Sequence, residues 1–227
     1  MFKSPFINIH SHRKPSLASE ICVRNAYLHK PSKILTRCYF SAGLHPWHVA
    51  KQDLKTLAHQ LEDITIHPFC MAIGEIGLDH YYPNMPAQID AFTLQVAFAQ
   101  AKKLPIIIHE VKSMQGLQKI LKNFSEPIIL HGYNGHIETW EQLNFNNKTY
   151  VSFGKQALHG SKKLIDTIQQ IPSNRFFIET DQLNIPISHL YQHISEIRAE
   201  PMADLQTQLF QNFNEILPAT CSPIALE

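Results

Sequence analysis

Two histidines one residue apart, His10-Ser11-His12, follow the largely apolar stretch Phe6-Ile7-Asn8-Ile9. In an extended segment the side chains at i and i+2 point the same way, so the pair can present two imidazoles to one ion. In a chain of 14 histidines such a pair is, taken alone, as often structural as functional. The same arrangement recurs, however. An apolar run at 69–73 precedes Glu75, Ile106-Ile107-Ile108 precedes His109, Ile128-Ile129-Leu130 precedes His131, and Phe176-Phe177-Ile178 leads into Glu179-Thr180-Asp181. If each run is a buried parallel strand, all of these polar ends reach one edge of one sheet. A carboxylate ending a buried run is costly unless it is paired or metal-bound. For Glu75 the bland alternative is a salt-bridged barrel carboxylate, and for His109 or His131 alone a hydrogen-bonded core histidine. Two histidines at equivalent strand ends shift that balance. Four histidines with Glu75 and Asp181 are too many donors for one tetrahedral zinc, and no cysteine joins them as it would in a structural zinc knot. Two divalent ions (Mg, Mn or Zn) are the economical reading. Asp181 is placed to bind an ion or orient a water, with Glu179 supporting the site.

The positioning elements follow from periodicity. Strands are expected near 5–10, 20–27, 38–44, 69–75, 104–109, 127–131, 149–153 and 175–179. From about residue 50 they alternate with amphipathic segments, as in βα units around a parallel sheet. Leu54, Leu57, Ala58 and Leu61 mark one helix, and Ile89, Phe92, Val96 and Ala99 the buried stripe of a second entered at Pro86. Leu117, Ile120, Leu121 and Phe124 suggest a third, Leu164, Ile165, Ile168 and Ile171 a fourth, and Leu205, Leu209, Phe213, Ile216 and Leu217 the last. The expected fold is a distorted (β/α)8 barrel. Its first connections, 11–19 and 28–37, are too short for a typical crossover helix.

With 227 residues and 44% hydrophobic content, the chain suits one barrel domain over 1–227. A formal charge of +1 gives no broad field for gripping duplex DNA, so any phosphate affinity must be local. Cys22, Cys38, Cys70 and Cys221 form no CxxC pair and read as reduced thiols. The N-terminal residues lack the regions of a signal peptide, and no window approaches a membrane span of about 18 apolar residues. A soluble cytoplasmic protein is expected, with no membrane association and no obligate protein partner evident.

The ordered blocks HSH at 10–12, GLHPWH at 43–48, AIGEIGLD at 72–79, LPIIIH at 104–109, ILHGYNG at 129–135, VSFG at 151–154 and IETD at 178–181 together resemble the TatD family of metal-dependent hydrolases, an amidohydrolase-like branch usually described as deoxyribonucleases. AIGEIGLD is highly specific, whereas HxH alone is not. The resemblance implies that His10, His12 and Asp181 hold one metal, that His109 and His131 hold the second, and that Glu75 bridges both. It also makes His45 a substrate-facing residue. Trp47 divides evenly between core packing and a place beside the substrate, and His48 is a weaker choice. The chain departs from the family pattern at Asn8, where an aspartate is usual, and at Glu110-Val111, where a Ser-Arg pair is. The first change would retune the metal site through its surroundings, and the second removes a basic phosphate contact that Lys112 could replace. The run His80-Tyr81-Tyr82 could stack on a base or pack under a loop. The chain is also short for this family near its N-terminus.

The expected activity is hydrolysis of DNA phosphodiester bonds by a two-metal mechanism, with Glu75 and Asp181 catalytic and with strand ends or single strands as substrate. A hydrolase of a small ester, amide or aminoacyl ester could use the same ions. A catalytically weak barrel that binds metal or a partner is the reading from a different class.

Overall fold

A computed structural model describes residues 4–28, 38–144 and 146–223. Eight strands run β1 (Phe6–Ser11), β2 (Glu20–Tyr27), β3 (Phe40–Gly43), β4 (Cys70–Asp79), β5 (Ile106–Val111), β6 (Ile128–Leu130), β7 (Thr149–Phe153) and β8 (Phe176–Ile178), paired in sequence order. Every pairing is parallel. Ser11 bridges to Asp181, where the Asp181 amide donates to His10 O at 3.0 Å and the His12 amide to Asp181 O at 3.0 Å. The sheet thus returns on itself as a nearly closed barrel. The helices are α1 (Leu54–Thr65), α2 (Met85–Lys102), α3 (Met114–Leu121), α4 (Ile137–Leu143), α5 (Lys155–Leu158), α6 (Lys162–Gln170), α7 (Ile187–Arg198) and α8 (Met202–Ile216), with a 3₁₀ segment at Pro46–Lys51. No described helix is long and apolar enough to cross a membrane.

The strands are buried because both faces are covered, by the barrel interior on one side and by helices on the other. All ten residues of β4 are buried, and this strand runs four residues beyond the expected end at Glu75. No helix follows β1: the described residues 12–19 are irregular, as their length predicted, while 29–37 of the next connection lie outside the described residues.

Helix α2 differs in one instructive way. Ile89, expected on the buried stripe, is 38% exposed, while Gln88 and Gln95 are fully buried beside Phe92 and Ala99. The Gln88 side chain accepts from the Asp79 amide at 2.8 Å and donates to Asp79 O at 3.1 Å. Gln95 does the same for Leu44, at 2.7 and 3.2 Å. Buried backbone groups at strand ends need partners, so the helix presents two amides where the apolar pattern alone would place Ile89. Leu54, at the first position of α1, is likewise exposed. Helices α4, α5 and α7 carry no stripe singled out in the sequence; α7 nonetheless buries Ile187, Leu190, Tyr191 and Ile194.

Candidate metal centre

Two irregularities in the sheet aim the central residues. Between Ile73 and Ile76, β4 advances three residues while β5 advances two, from Ile106 to Ile108. Between Asn8 and Ser11, β1 does the same against β2. An extra residue in one strand kinks it and redirects a side chain, and the two bulges contain Glu75 and His10. The Glu75 amide donates to the Asn25 side chain on β2 at 2.9 Å, which satisfies a group displaced from the ladder. Gly77, at φ +146°, follows the bulge because a Cβ there would lie 1.9 Å from His109 O.

The five other expected ligands and His45 gather around the Glu75 carboxylate, which is 5% exposed. Its Oε1 lies 2.7 Å from His131 Nε2, 3.0 Å from His109 Nδ1 and 3.1 Å from His45 Nε2. Its Oε2 faces His10 Nε2 at 3.5 Å and His12 Nε2 at 3.7 Å. Asp181 Oδ1 stands 3.2 Å from His12 Nε2 and 3.8 Å from His10 Nε2. Three overlapping triplets have donor atoms close enough to share an ion: His10, His12 and Asp181; His10, Glu75 and His131; and His45, Glu75 and His109.

The donor set fits a divalent ion. Among the described residues neither ring nitrogen of fully buried His10 has a hydrogen-bond partner, an expensive state for a polar ring without a ligand. Two donors on a tetrahedral ion with bonds of about 2.1 Å sit about 3.4 Å apart, and the His10, His12 and Asp181 separations bracket that value. Imidazole and carboxylate together suit zinc or manganese.

The second nitrogens of three imidazoles are held from behind. His109 Nε2 meets Asp79 Oδ2 at 3.2 Å, His131 Nδ1 meets Glu179 Oε1 at 3.4 Å, and His12 Nδ1 meets the Tyr27 hydroxyl at 3.1 Å. Such contacts orient ligands and raise their basicity. Asp79 is itself fixed by the Trp47 indole N–H at 2.7 Å and the Tyr81 amide at 2.9 Å, while Ser152 donates a short hydrogen bond to Glu179. Trp47 is therefore not a core residue: it is 41% exposed and stacks on Tyr82 with centroids 4.8 Å apart. His45 accepts the Trp47 amide at Nδ1 (3.1 Å). With Nδ1 an acceptor, the neutral ring carries its proton on Nε2 and donates to Glu75.

Charges in this pocket offset one another. Burial alone would raise the Glu75 carboxyl, but His131, His10 and His109 hold it well below the usual carboxylate range. Burial would lower His131, but Glu75 and Glu179 push it well above the ordinary imidazole value. For His45 burial prevails over Glu75 and lowers it, so the ring is neutral. Burial opposes the lowering of Asp181, which its contacts with His12, His10 and His131 nevertheless achieve.

Asp79, Tyr27, Gln88 and Gln95 received no supporting role from the sequence, and Trp47 was divided between the core and the substrate rather than placed behind a ligand. Asp79 had a signal, since it closes the specific AIGEIGLD block; Tyr27, the last residue of β2, had none. Lys112 lies over the Tyr81 ring, 5.2 Å from its centroid, and does not line the metal pocket.

A parallel eight-stranded barrel with nitrogen and oxygen donors gathered where its strands end defines a class, the barrel hydrolases that depend on metal. The chain belongs to the TatD-related DNase family, whose model matches residues 17–218, a span that begins beyond His10 and His12. It is similar to a metal-dependent hydrolase of Buchnera aphidicola, at 30% identity over 183 residues covering 75% of this chain and 69% of the relative. It is also similar to a protein of Erwinia amylovora named 3'-5' ssDNA/RNA exonuclease TatD, at 25% identity over 202 residues, 77% of this chain and 76% of the relative. Among solved structures, a TatD homologue from Escherichia coli superimposes with a TM-score of 0.79 at 21% identity, covering 93% of this chain and 97% of the other. The protein is a metal-dependent hydrolase acting on ester bonds.

Proposed function

We propose that this hydrolase cleaves phosphodiester bonds of DNA, at strand ends or in single strands, as one barrel domain with two divalent ions. The observation that carries this reading is the Glu75 carboxylate, whose two oxygens face two different sets of imidazoles at 2.7–3.1 Å and 3.5–3.7 Å. In this assignment His10, His12 and Asp181 would hold one ion, His109 and His131 the other, with Glu75 available to both. Bound there, the ions supply Lewis-acid charge to the phosphoryl group and lower the pKa of an attacking water.

The chain's own groups supply the rest. Asp181, with 35% of its side chain exposed, is the carboxylate open to solvent and accepts a proton from the attacking water. His45, neutral and with its proton on Nε2 toward Glu75 at 3.1 Å, would turn that proton to a substrate oxygen once ions engage the Glu75 carboxylate, rather than serving as a ligand. The cavity holds about 90 Å³ and is walled by Tyr27, His45, Trp47 and Gln182 as well as His12, Glu75, His109, His131 and Asp181. That space suits a single phosphodiester group better than an intact duplex. The name of the Erwinia relative, an exonuclease on single-stranded DNA and RNA, supports the same substrate form.

An end-labelled single strand, the matching blunt duplex and simple carboxylic esters, each assayed with Mg, Mn or Zn, test the reading. Shortening of the single strand from its 3' end, fastest among the three, is expected. Ester hydrolysis with intact oligonucleotide would overturn it in favour of a small-ester substrate.

A further inference from the structure

Beside the metal pocket lies a second, larger cavity of about 350 Å³, lined by Asn8, Arg13, Lys14, Ser16, Glu20, Thr180 and the chain at 183–186. Arg13 and Lys14 directly follow His12. The Arg13 guanidinium donates through Nε to Gln182 O at 3.2 Å and through Nη1 to Asn184 Oδ1 at 3.3 Å, and Gln182 is also a wall of the metal pocket. Arg13 therefore stands on the ridge between the two cavities, with donors beyond those two contacts. Lys14 is exposed and has no partner among the described residues.

The one acid in this cavity is buried and turned toward uncharged donors of the chain itself. Glu20, 6% exposed, accepts from Asn8 Nδ2 at 2.8 Å and from the Ser16 amide and hydroxyl at 2.8 and 3.0 Å. Asn8 is uncharged, and it spends its remaining groups on Thr180, donating at 2.9 Å and accepting at 3.0 Å. Arg13 and Lys14 outnumber this single buried carboxylate, so the charge lining the cavity is positive, on a chain whose formal charge is only +1. A polyanion recruited by such a chain must be held by local cations.

We infer that Arg13 and Lys14 form a subsite for the backbone phosphates of a single strand next to the phosphodiester under attack. This rests on the nucleic-acid reading above and adds to it the residues that set substrate length. Arg13 reaches the nearer phosphate from its position over Gln182, and Lys14 the next one outward. Neither touches the bond being broken, so the contribution falls on substrate binding.

The test measures kcat/KM against salt for wild type, Arg13→Gln, Lys14→Gln and the double variant, on a dinucleotide with one phosphodiester and on a longer single strand. Wild type is expected to favour the longer strand, and the double variant to lose about tenfold on it, through KM. Its log–log salt slope should be shallower by about 1.4, or ~0.7 per phosphate contact in single strands. A latch that merely ties Arg13 to Asn184 would shift Tm and leave the salt slope in place. Lys14→Gln keeps the test clear of folding, since that side chain is exposed and has no partner among the described residues. If wild type cuts the oligonucleotide and the variants keep its slope and length preference, the subsite is overturned alone. If wild type cuts no oligonucleotide, the nucleic-acid reading falls and the subsite with it.

Discussion

The two sides of Glu75 are built differently. Around Oε1 the imidazoles approach within 2.7–3.1 Å, and the far nitrogens of His109 and His131 rest on carboxylates, Asp79 and Glu179. Around Oε2 the nearest nitrogens stand off at 3.5 and 3.7 Å, neither nitrogen of His10 has a hydrogen-bond partner among the described residues, and His12 rests on a neutral phenol. The first side is an ion-pair network that satisfies itself in the absence of metal. The second is a set of donors spaced for an ion, with its buried polar cost unmet until one arrives. Metal should therefore matter more to stability through the His10 side, while the His131 side should be rigid before loading.

Glu75 serves both sides, so Glu75→Gln should have the largest effect. Turnover should fall by roughly 10³-fold or more, equivalent to about 4 kcal/mol of transition-state stabilisation, and metal content by elemental analysis should drop. Wild-type turnover and metal content in that variant would dissolve the comparison altogether.

The next effect separates the sides. In chelator, His131→Leu leaves Glu75 and Glu179 buried without their shared imidazole and should cost about 3 kcal/mol. His10→Leu removes an unsatisfied ring and should cost far less, although it abolishes the rise in Tm that added Zn or Mn gives wild type, worth ~2.7 kcal/mol at a hundredfold excess over Kd. Denaturant melts with and without metal check both. The pH dependence has a definite sign. The raised His131 contributes stability that is fully present below its ordinary value of 6.5 and fades as pH rises through its folded pKa. The lowered Glu75 contributes above its ordinary value of 4.5 and is lost as pH falls through its folded pKa. The chelated wild type should therefore exceed His131→Leu most between those two values. Equal losses for the two histidine variants in chelator would erase the distinction.

The tighter side was also the more legible one. His109 and His131 each end three consecutive aliphatics, a pattern that fixes both the strand and the residue at its end. Glu75 was legible as a costly carboxylate among glycines, but the bulge that aims it was not, because a register shift is a relation between strands and leaves no mark on one. Helix α2 shows why stripes mislead near a site. Its pattern selects Ile89, and the fold instead buries Gln88 and Gln95 because the strand ends at Asp79 and Leu44 require partners. Tyr27 closes a strand with no polar signal, and it reaches His12 only because β1 and β2 are neighbours in the barrel. Tyr27 and Asp79, which act through another residue, were thus hidden because their partner lay on a different strand, whereas Glu179 was legible from its place beside Asp181.

The smallest effects should come from the residues behind the imidazoles, and they grade the comparison most finely. Asp79→Asn and Glu179→Gln remove a charge behind His109 and His131 and should weaken metal binding by 10- to 100-fold, the usual cost of losing such a partner. Tyr27→Phe should cost only a few-fold, because the hydroxyl it deletes is uncharged: burial, with Glu75 and Asp181 nearby, pushes Tyr27 up to about 12. A phenol that keeps its proton accepts the His12 Nδ1–H only weakly, so it orients the ring with little gain in basicity. Metal titrations of the three variants should then rank Tyr27→Phe nearest wild type. If Tyr27→Phe instead matched Asp79→Asn, His12 would depend on its phenol as heavily as His109 depends on its carboxylate, and the two sides of Glu75 would differ in spacing alone.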